Sequence, residues 1–371
     1  MVTQADIVRN YQSGDMLALK VSAKAMLAAF PTDFTALTAL GLSLSQSPRR
    51  YDWRKAISVY LSVLDEAQTA EEASTACHSI SHMHLLVNQY DDAADWFRRG
   101  WLGNPHSPPI PNDPSLTVMI PENGLGETLF ELSRLDPANA PHINSVGPNV
   151  LRLRPMIERA GFRFANDKSM PSIPAFSYAL KFQPNGAMQR TTFTPSATHR
   201  AKWMAKLVNY PRPWIGISWT GGIEPERTAA RTIPVQSMVR LTKGLPGTLI
   251  DMQHSTHACH AKHVVTTQNA FRENNIKALP FSCEDVEDLG ALLSCLDVVA
   301  TADNSNAHLG AALGVPVLLL LNQYPYIYFD ERIEGIWKTV NTVKQFRFGE
   351  WEPVIQEARQ RLEKLLALKA A

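Results

Sequence analysis

Over residues 1–106 the apolar positions recur at helical spacing, with Ala, Leu and Met throughout and no strand-like alternation, so this stretch is predicted to be all helix. The pattern then repeats. Leu37, Leu40 and Gly41 open one unit that Ala56 and Tyr60 close, while Cys77, Ile80 and Ser81 open another that ends Ala93, Phe97, Gly100 and Pro105. YQSGDMLALKVSAKAMLAAFP reads as the second helix of a further unit, and SQSPRRYDW as an insertion. A generic helical bundle is the plainer alternative. GNPHSPPIPNDPS (103–115) holds five prolines in thirteen residues and cannot continue a helix, so residues 107–114 are expected to form a linker after a helical domain at 1–106.

Beyond the linker the pattern changes to short continuous apolar runs: LTVMI (116–120), WIGISW (214–219), GTLIDMQ (247–253), LDVVATAD (296–303) and VPVLLLL (315–321). Helical stretches separate them, the first beginning at Glu127. Such alternation predicts an α/β region with parallel strands covered on both faces. PSIPAFSYALKFQPNGA (171–187) reads as irregular, and NYPRPW precedes the strand at 214. Two α/β lobes are therefore expected, at 115–210 and 211–371, the second closed by the helix EWEPVIQEARQRLEKLLALKA.

In open α/β sheets ligands bind beyond the C-terminal strand ends. Four strand-exit loops are candidates: PENGLGET (121–128), TGGIEPERTAARTIP (220–234), QHSTHACHAKH (253–263) and DNSNAHLG (303–310).

Composition narrows the function classes. A chain of 371 residues is long enough for more than one core. Its 36 Lys and Arg against 35 Asp and Glu give a formal charge of +1 and no general basic field, so nucleic acid is not favoured as a partner, although totals are blind to a local patch. Cys77, Cys259, Cys283 and Cys295 are widely spaced with no C-x-x-C pair, which suits reduced thiols. The start MVTQADIVRNYQSGD lacks the build of a secretory signal, and no apolar run approaches the ~20 residues that span a bilayer. A soluble, cytoplasmic protein is the expectation.

The order of the helical units, with a small residue where two helices cross, an aromatic on the second helix and a terminal proline, resembles the tetratricopeptide repeat. The loops carry a second resemblance. Gly124-Leu125-Gly126-Glu127-Thr128 with Phe130 and Arg134, Gly216-Ile217-Ser218-Trp219-Thr220-Gly221, Arg231-Thr232-Ile233-Pro234, Met252-Gln253, and the run from Asp303 to Val317 stand in that order. Together they resemble bacterial proteins with N-terminal tetratricopeptide repeats and a C-terminal region related to the heptosyltransferases of glycosyltransferase family 9. That resemblance implies a GT-B pair of Rossmann-like lobes and an inverting, metal-independent transfer of a sugar from a nucleotide-diphosphate sugar to an acceptor hydroxyl. No cofactor is expected, the nucleotide sugar being a co-substrate.

On this resemblance the diphosphate of the donor is held by Ser218, Thr220, Gly221, Gly222 and Gln253 and by Asp303, Asn304, Ser305, Asn306, Ala307, His308 and Leu309. The loop leading into a helix offers unpaired N–H groups and the helix dipole, with Ser305 or Asn306 adding a side-chain donor. Arg231 stands where a guanidinium grips the leaving phosphates. Glu127 occupies the position of the family's catalytic Asp as general base, with Asn123, Gly124 and Gly126 on the acceptor side. Glu127 also has a purely structural reading, as an acid complementing a helix N-terminus. The acceptor is a glycan, a protein or another hydroxyl, and the helical repeats would recruit it, bind another protein or form a homodimer.

Other readings weigh less. His254, His257, His260 and His263 recur every third residue, a step that winds around a helix so that at most two adjacent ones share a face; no metal site is expected. GLGET lacks the full G-x-G-x-x-G of a dinucleotide site. His308 in an apolar helix is by residue type a core histidine. The family's D-W-R-W phrase is absent; Tyr324, Tyr326, Tyr328 and Phe329 stand there, to wall the sugar or acceptor site or to cap the core. The rival class is a non-catalytic repeat scaffold with a degenerate glycosyltransferase-like domain.

Overall fold

The computed structural model describes residues 2–120, 124–140, 142–145, 147–165, 171–221, 231–253, 258–280, 283, 285–322, 327–347 and 349–370. Six helices come first: α1 (Gln4–Ser13), α2 (Met16–Ala29), α3 (Phe34–Ser45), α4 (Arg50–Asp65), α5 (Ala70–Leu86) and α6 (Tyr90–Leu102). Their starts are written into the sequence. Thr3 with Asp6 and Thr69 with Glu72 form capping boxes, and Asp15 and Asp33 cap α2 and α3. Gly41 on α3 faces Tyr60 on α4, and a Cβ there would lie 2.7 Å from the ring, so only glycine allows this approach. At the next crossing Ser81 is small enough to fit and donates its buried hydroxyl to the Ala93 carbonyl at 2.7 Å.

A small parallel sheet follows, β1 (Thr117–Met119) beside β2 (Ser172–Pro174), extended by single parallel bridges from Ile143 to Val118 and Phe164. With it belong α7 (Leu125–Arg134), α8 (Pro148–Arg159), α9 (Ala175–Phe182) and α10 (Ala197–Leu207). The segment expected to be irregular at 171–187 thus contains a strand and a helix. β2 is three residues long with Pro171 before it and Pro174 within it, too short to show alternation. α9 is buried continuously from Ala175 to Leu180, so it has no amphipathic stripe to read. Its N-cap, Pro174, has no capping side chain; the Glu131 carboxylate accepts the Phe176 N–H instead. Burial pushes the Glu131 carboxyl up to about 8, against the pull of that N–H and of Arg134.

The large sheet is wholly parallel, built from β3 (Trp214–Ser218), β4 (Thr248–Asp251), β5 (Ala278–Pro280), β6 (Val298–Ala302), β7 (Val317–Leu321) and β8 (Val340–Lys344) in the order β5-β4-β3-β6-β7-β8. Alternate residues supply its two faces. Ile215, Ile217, Val298, Ala300, Leu318 and Leu320 pack under α11 (Val235–Thr242), α12 (Ala258–Glu273) and α15 (Glu352–Ala370). Ile250, Val299, Val317 and Leu319 pack on the other side with α13 (Val286–Leu293) and α14 (Ser305–Ala312).

The second core is continuous with the small sheet and with α3 to α6. Polar junctions help hold these parts together. Ser177 on α9 donates to the Ala94 carbonyl of α6 at 2.9 Å, and Trp203 on α10 donates to Asp288 on α13 at 2.7 Å. Asp330, buried after β7, accepts from Arg332 at 2.6 Å and pairs with His82 of α5 at 2.7 Å, while Arg332 reaches the Ser45 carbonyl at 2.6 Å and lies over Trp53. Burial alone would raise the Asp330 carboxyl, yet the bonds from His82 and Arg332 hold it far below the usual carboxylate range. Among the described residues no helix is long and apolar enough to cross a membrane.

Candidate functional site

In order of appearance the large sheet runs 3-2-1-4-5-6, so the chain reverses direction across the sheet between β3 and β6. At such a switch point open α/β sheets bind ligands in the crevice outside the C-terminal strand ends, and here the first residues of the two exit loops pack together as its floor. Ser218, the last residue of β3, and Thr301 of β6 sit at its base with their hydroxyl oxygens 2.6 Å apart. The Asn304 carboxamide donates to the Ser218 hydroxyl at 3.1 Å and the Thr220 carbonyl at 2.9 Å, and its oxygen accepts the Asn306 N–H at 3.0 Å. Asn306 donates to Ser218 and to the Met252 carbonyl, each at 3.1 Å. Gln253 accepts the Trp219 and Thr220 N–H groups at 2.9 Å and donates to the Thr220 hydroxyl at 2.5 Å. This network ties the ends of β3, β4 and β6 into one rigid floor.

Two backbones touch above that floor. A Cβ on Gly221 would collide with the Asp303 carbonyl, so this residue must lack a side chain. Asp303 is buried and pairs with Arg231 at 3.5 Å. Burial pushes the Asp303 carboxyl up; the Arg231 charge opposes this, and the nearby Glu127 charge adds to it. Asn304 then caps α14, whose Ser305 is exposed while Asn306 to Ala312 are buried. The side chains of Ala307 and Leu309 are wholly in the core.

The start of α7 packs against the start of α14 beside this floor. Gly126 lies against the His308 ring, where a Cβ would be 2.5 Å from it, and the Glu127 carboxylate folds back over Gly124. His308 is enclosed by Phe329, Tyr328 and Trp337 at ring separations of 4.4, 6.1 and 6.2 Å. Burial, with the Arg231 and Arg134 charges adding to it, pushes this imidazole down to about 3, so it is neutral at ordinary pH. Its Nδ1 has no hydrogen-bond partner among the described residues.

Of the residues expected in the site, Gly124, Gly126, Glu127, Ser218, Thr220, Gly221, Arg231, Gln253 and Asp303 to His308 converge here, though several serve mainly the floor. Asn123, Gly222, His254, His257, Tyr324 and Tyr326 lie outside the described residues, as does the His260 side chain. His263 instead faces the Ile233 carbonyl, its Nε2 3.2 Å away. Among the described residues no group of three His, Cys, Asp or Glu side chains is placed to hold a metal ion.

Sequence reading missed Thr301, Trp337 and the true setting of Arg134. That arginine is fully buried, bonded to the Phe130, Ala187 and Ile336 carbonyls and stacked on Phe130 and Trp337 at 4.3 and 4.5 Å. It fastens α7 to the aromatic strip around His308. The only sequence signal for Thr301 was a lone hydroxyl in the apolar strand VVATA.

No protein-family model matches the chain, and no curated protein matches it. Among solved structures, E. coli ADP-heptose lps heptosyltransferase II is similar at 14% identity and a TM-score of 0.48, over 69% of this chain and 100% of that one. A mutant O-GlcNAc transferase from Thermobaculum terrenum is similar at 12% identity and a TM-score of 0.32, over 98% of this chain and 92% of that one.

Proposed function

We propose that the chain is a GT-B glycosyltransferase, moving a sugar from a nucleotide-diphosphate sugar to an acceptor hydroxyl, with tetratricopeptide-like repeats at its N-terminus. The observation that carries this reading is the convergence of Arg231, the start of α14 and Glu127 at the reversal point of the large sheet. The positive end of α14, the Ser305 N–H and hydroxyl, and the Arg231 guanidinium are suited to a diphosphate. Asp303 holds Arg231 in place until an anion competes for it.

In the transfer itself the acceptor oxygen bonds to the anomeric carbon as that carbon's bond to the phosphate oxygen breaks. The electron pair leaves with the diphosphate, where Arg231 and the helix N-terminus stabilise it, and the acceptor proton passes to Glu127. Attack from the side opposite the diphosphate inverts the anomeric centre. The protein supplies the positive potential, and no metal is assigned a role. His308 is a neutral wall of the site and not its base.

A second reading, a non-catalytic scaffold, is favoured by one observation: the Glu127 carboxylate lies over Gly124 at the start of its own helix, where an acid is a structural complement. Nucleoside diphosphate release from a panel of nucleotide sugars, with and without hydroxyl acceptors, separates the two. Acceptor-dependent release that falls at least ~100-fold in Glu127→Gln, with donor affinity retained, is the expected result. Full turnover in that variant would remove Glu127 from the base role, and no release from any donor would favour the scaffold.

A further inference from the structure

The balanced charge of the whole chain conceals a basic groove on the helical domain. Lys20 and Lys24 of α2 form one wall, and Lys55 of α4 the other. Leu40 and Leu44 of α3, with Val59, line the same groove, which encloses ≈ 280 Å³. Within it Asp52 is already engaged, accepting from Ser47 at 2.6 Å with Lys20 4.0 Å away. The Ser47 bond, with the Lys20, Arg49 and Lys55 charges, holds that carboxyl below its ordinary range although burial opposes them.

Three cations, Lys20, Arg49 and Lys55, act on this one carboxylate, and Lys24 adds a fourth positive charge to the groove wall. Lys24, Arg49 and Lys55 are exposed, and among the described residues none of the three has a carboxylate within ion-pair distance. The Lys55 ammonium sits 4.4 Å over the ring of Tyr51, itself 66% exposed, which holds that charge at the rim. On α2 the neighbouring Leu17 and Val21 are 73% and 61% exposed, so apolar surface continues out of the groove beside the lysines.

We infer that this groove docks an acidic segment of a partner protein, with an apolar side chain in the groove and Asp or Glu residues on the lysine rim. Charge complementarity selects an anionic partner, because three positive charges remain uncompensated. Shape selects a peptide over a bilayer: a flat anionic surface meets the rim but leaves the concave, apolar-lined interior unfilled. The groove is built from the helices whose ends clamp Arg332 through Ser45 and Trp53, so a docked segment is anchored to the body that carries the crevice. The inference concerns the helical domain alone and stands whether or not the crevice is catalytic.

The test is fluorescence anisotropy on the full chain, with a short labelled peptide in which Asp and Glu flank a Leu-Leu pair. Saturable micromolar binding is expected, weakened roughly tenfold or more by Lys24→Glu combined with Lys55→Glu and weakened again by salt. A peptide with Ser for the acids, and one with Ser for the leucines, should each bind more weakly. Both substituted lysines are exposed, and an unchanged circular-dichroism melt would confirm that the variant is folded. Absence of saturable binding, indifference to the charge reversal, or preference for phosphatidylserine vesicles over the peptide would each overturn the proposal.

Discussion

Replacing Asn306 by Ala removes the carboxamide that joins the ends of β3, β4 and β6. Two hydrogen bonds are lost, to the Ser218 hydroxyl and the Met252 carbonyl, both at 3.1 Å. Ser218 keeps Thr301 and Asn304 as partners, so its loss is about 1 kcal/mol. The Met252 carbonyl loses a donor in a residue only 1% exposed, a position where an unmet acceptor costs ~1–3 kcal/mol. The sum is a destabilisation of about 3 kcal/mol, read as a fall of about 1 M in the urea midpoint if m is near 3 kcal/mol/M. Asn306→Asp preserves the shape but presents a carboxylate to two acceptors; it should be at least as unstable at neutral pH and recover part of the loss on acidification, when one donor returns. An unfolding free energy for Asn306→Ala within about 0.5 kcal/mol of the parent, or a fully stable Asn306→Asp, would refute the claim that this side chain fastens the floor.

Other expectations follow from the same geometry. Gly126→Ala forces a methyl into the His308 ring and should cost about 1–3 kcal/mol in urea unfolding; a neutral result would mean that α7 and α14 are not closely apposed. The His308 imidazole, depressed in the folded state from 6.5 to about 3, contributes stability that is fully present above pH 6.5 and is lost as pH falls, because the unfolded chain takes the proton first. His308→Phe should reduce the pH slope of stability between about 4 and 6.5 by up to ~1.4 kcal/mol per pH unit. Asp330 has the same sign in a lower window: its contribution is present above 3.8 and fades as pH falls below it, so Asp330→Asn should be less stable at pH 7 and should converge with the parent in acid.

Much of this architecture was legible because the relevant residues act locally. Caps at Thr3, Asp15, Asp33 and Thr69 mark helix starts, and the continuous apolar runs of β3, β6 and β7 mark strands buried on both faces. β2, β5 and β8 escaped notice for opposite reasons. The first two are three residues long, and β8 is an edge strand whose Asn341 and Lys344 are exposed, which breaks the apolar run. Strand-exit loops pointed to the crevice, but division of labour within them depends on partners far away in sequence. By residue type and position Asn306 is a candidate side-chain donor to phosphate, whereas its carboxamide is spent on Ser218 and Met252. Arg134, one turn after Phe130 on an amphipathic helix, gives no sign in the sequence that three carbonyls and two aromatic rings enclose it.

The central claim is that Arg231 and the start of α14 form a diphosphate site at the reversal point of the sheet. Calorimetric titration of the full chain with ADP, UDP, GDP and CDP tests it directly, beside the same titrations of Arg231→Ala. The account predicts micromolar binding of at least one nucleoside diphosphate, little binding of the matching nucleoside, and a loss of about tenfold or more in Arg231→Ala, as expected for a lost charge-assisted pair. Binding of no nucleotide, or equal affinity in Arg231→Ala, would contradict it.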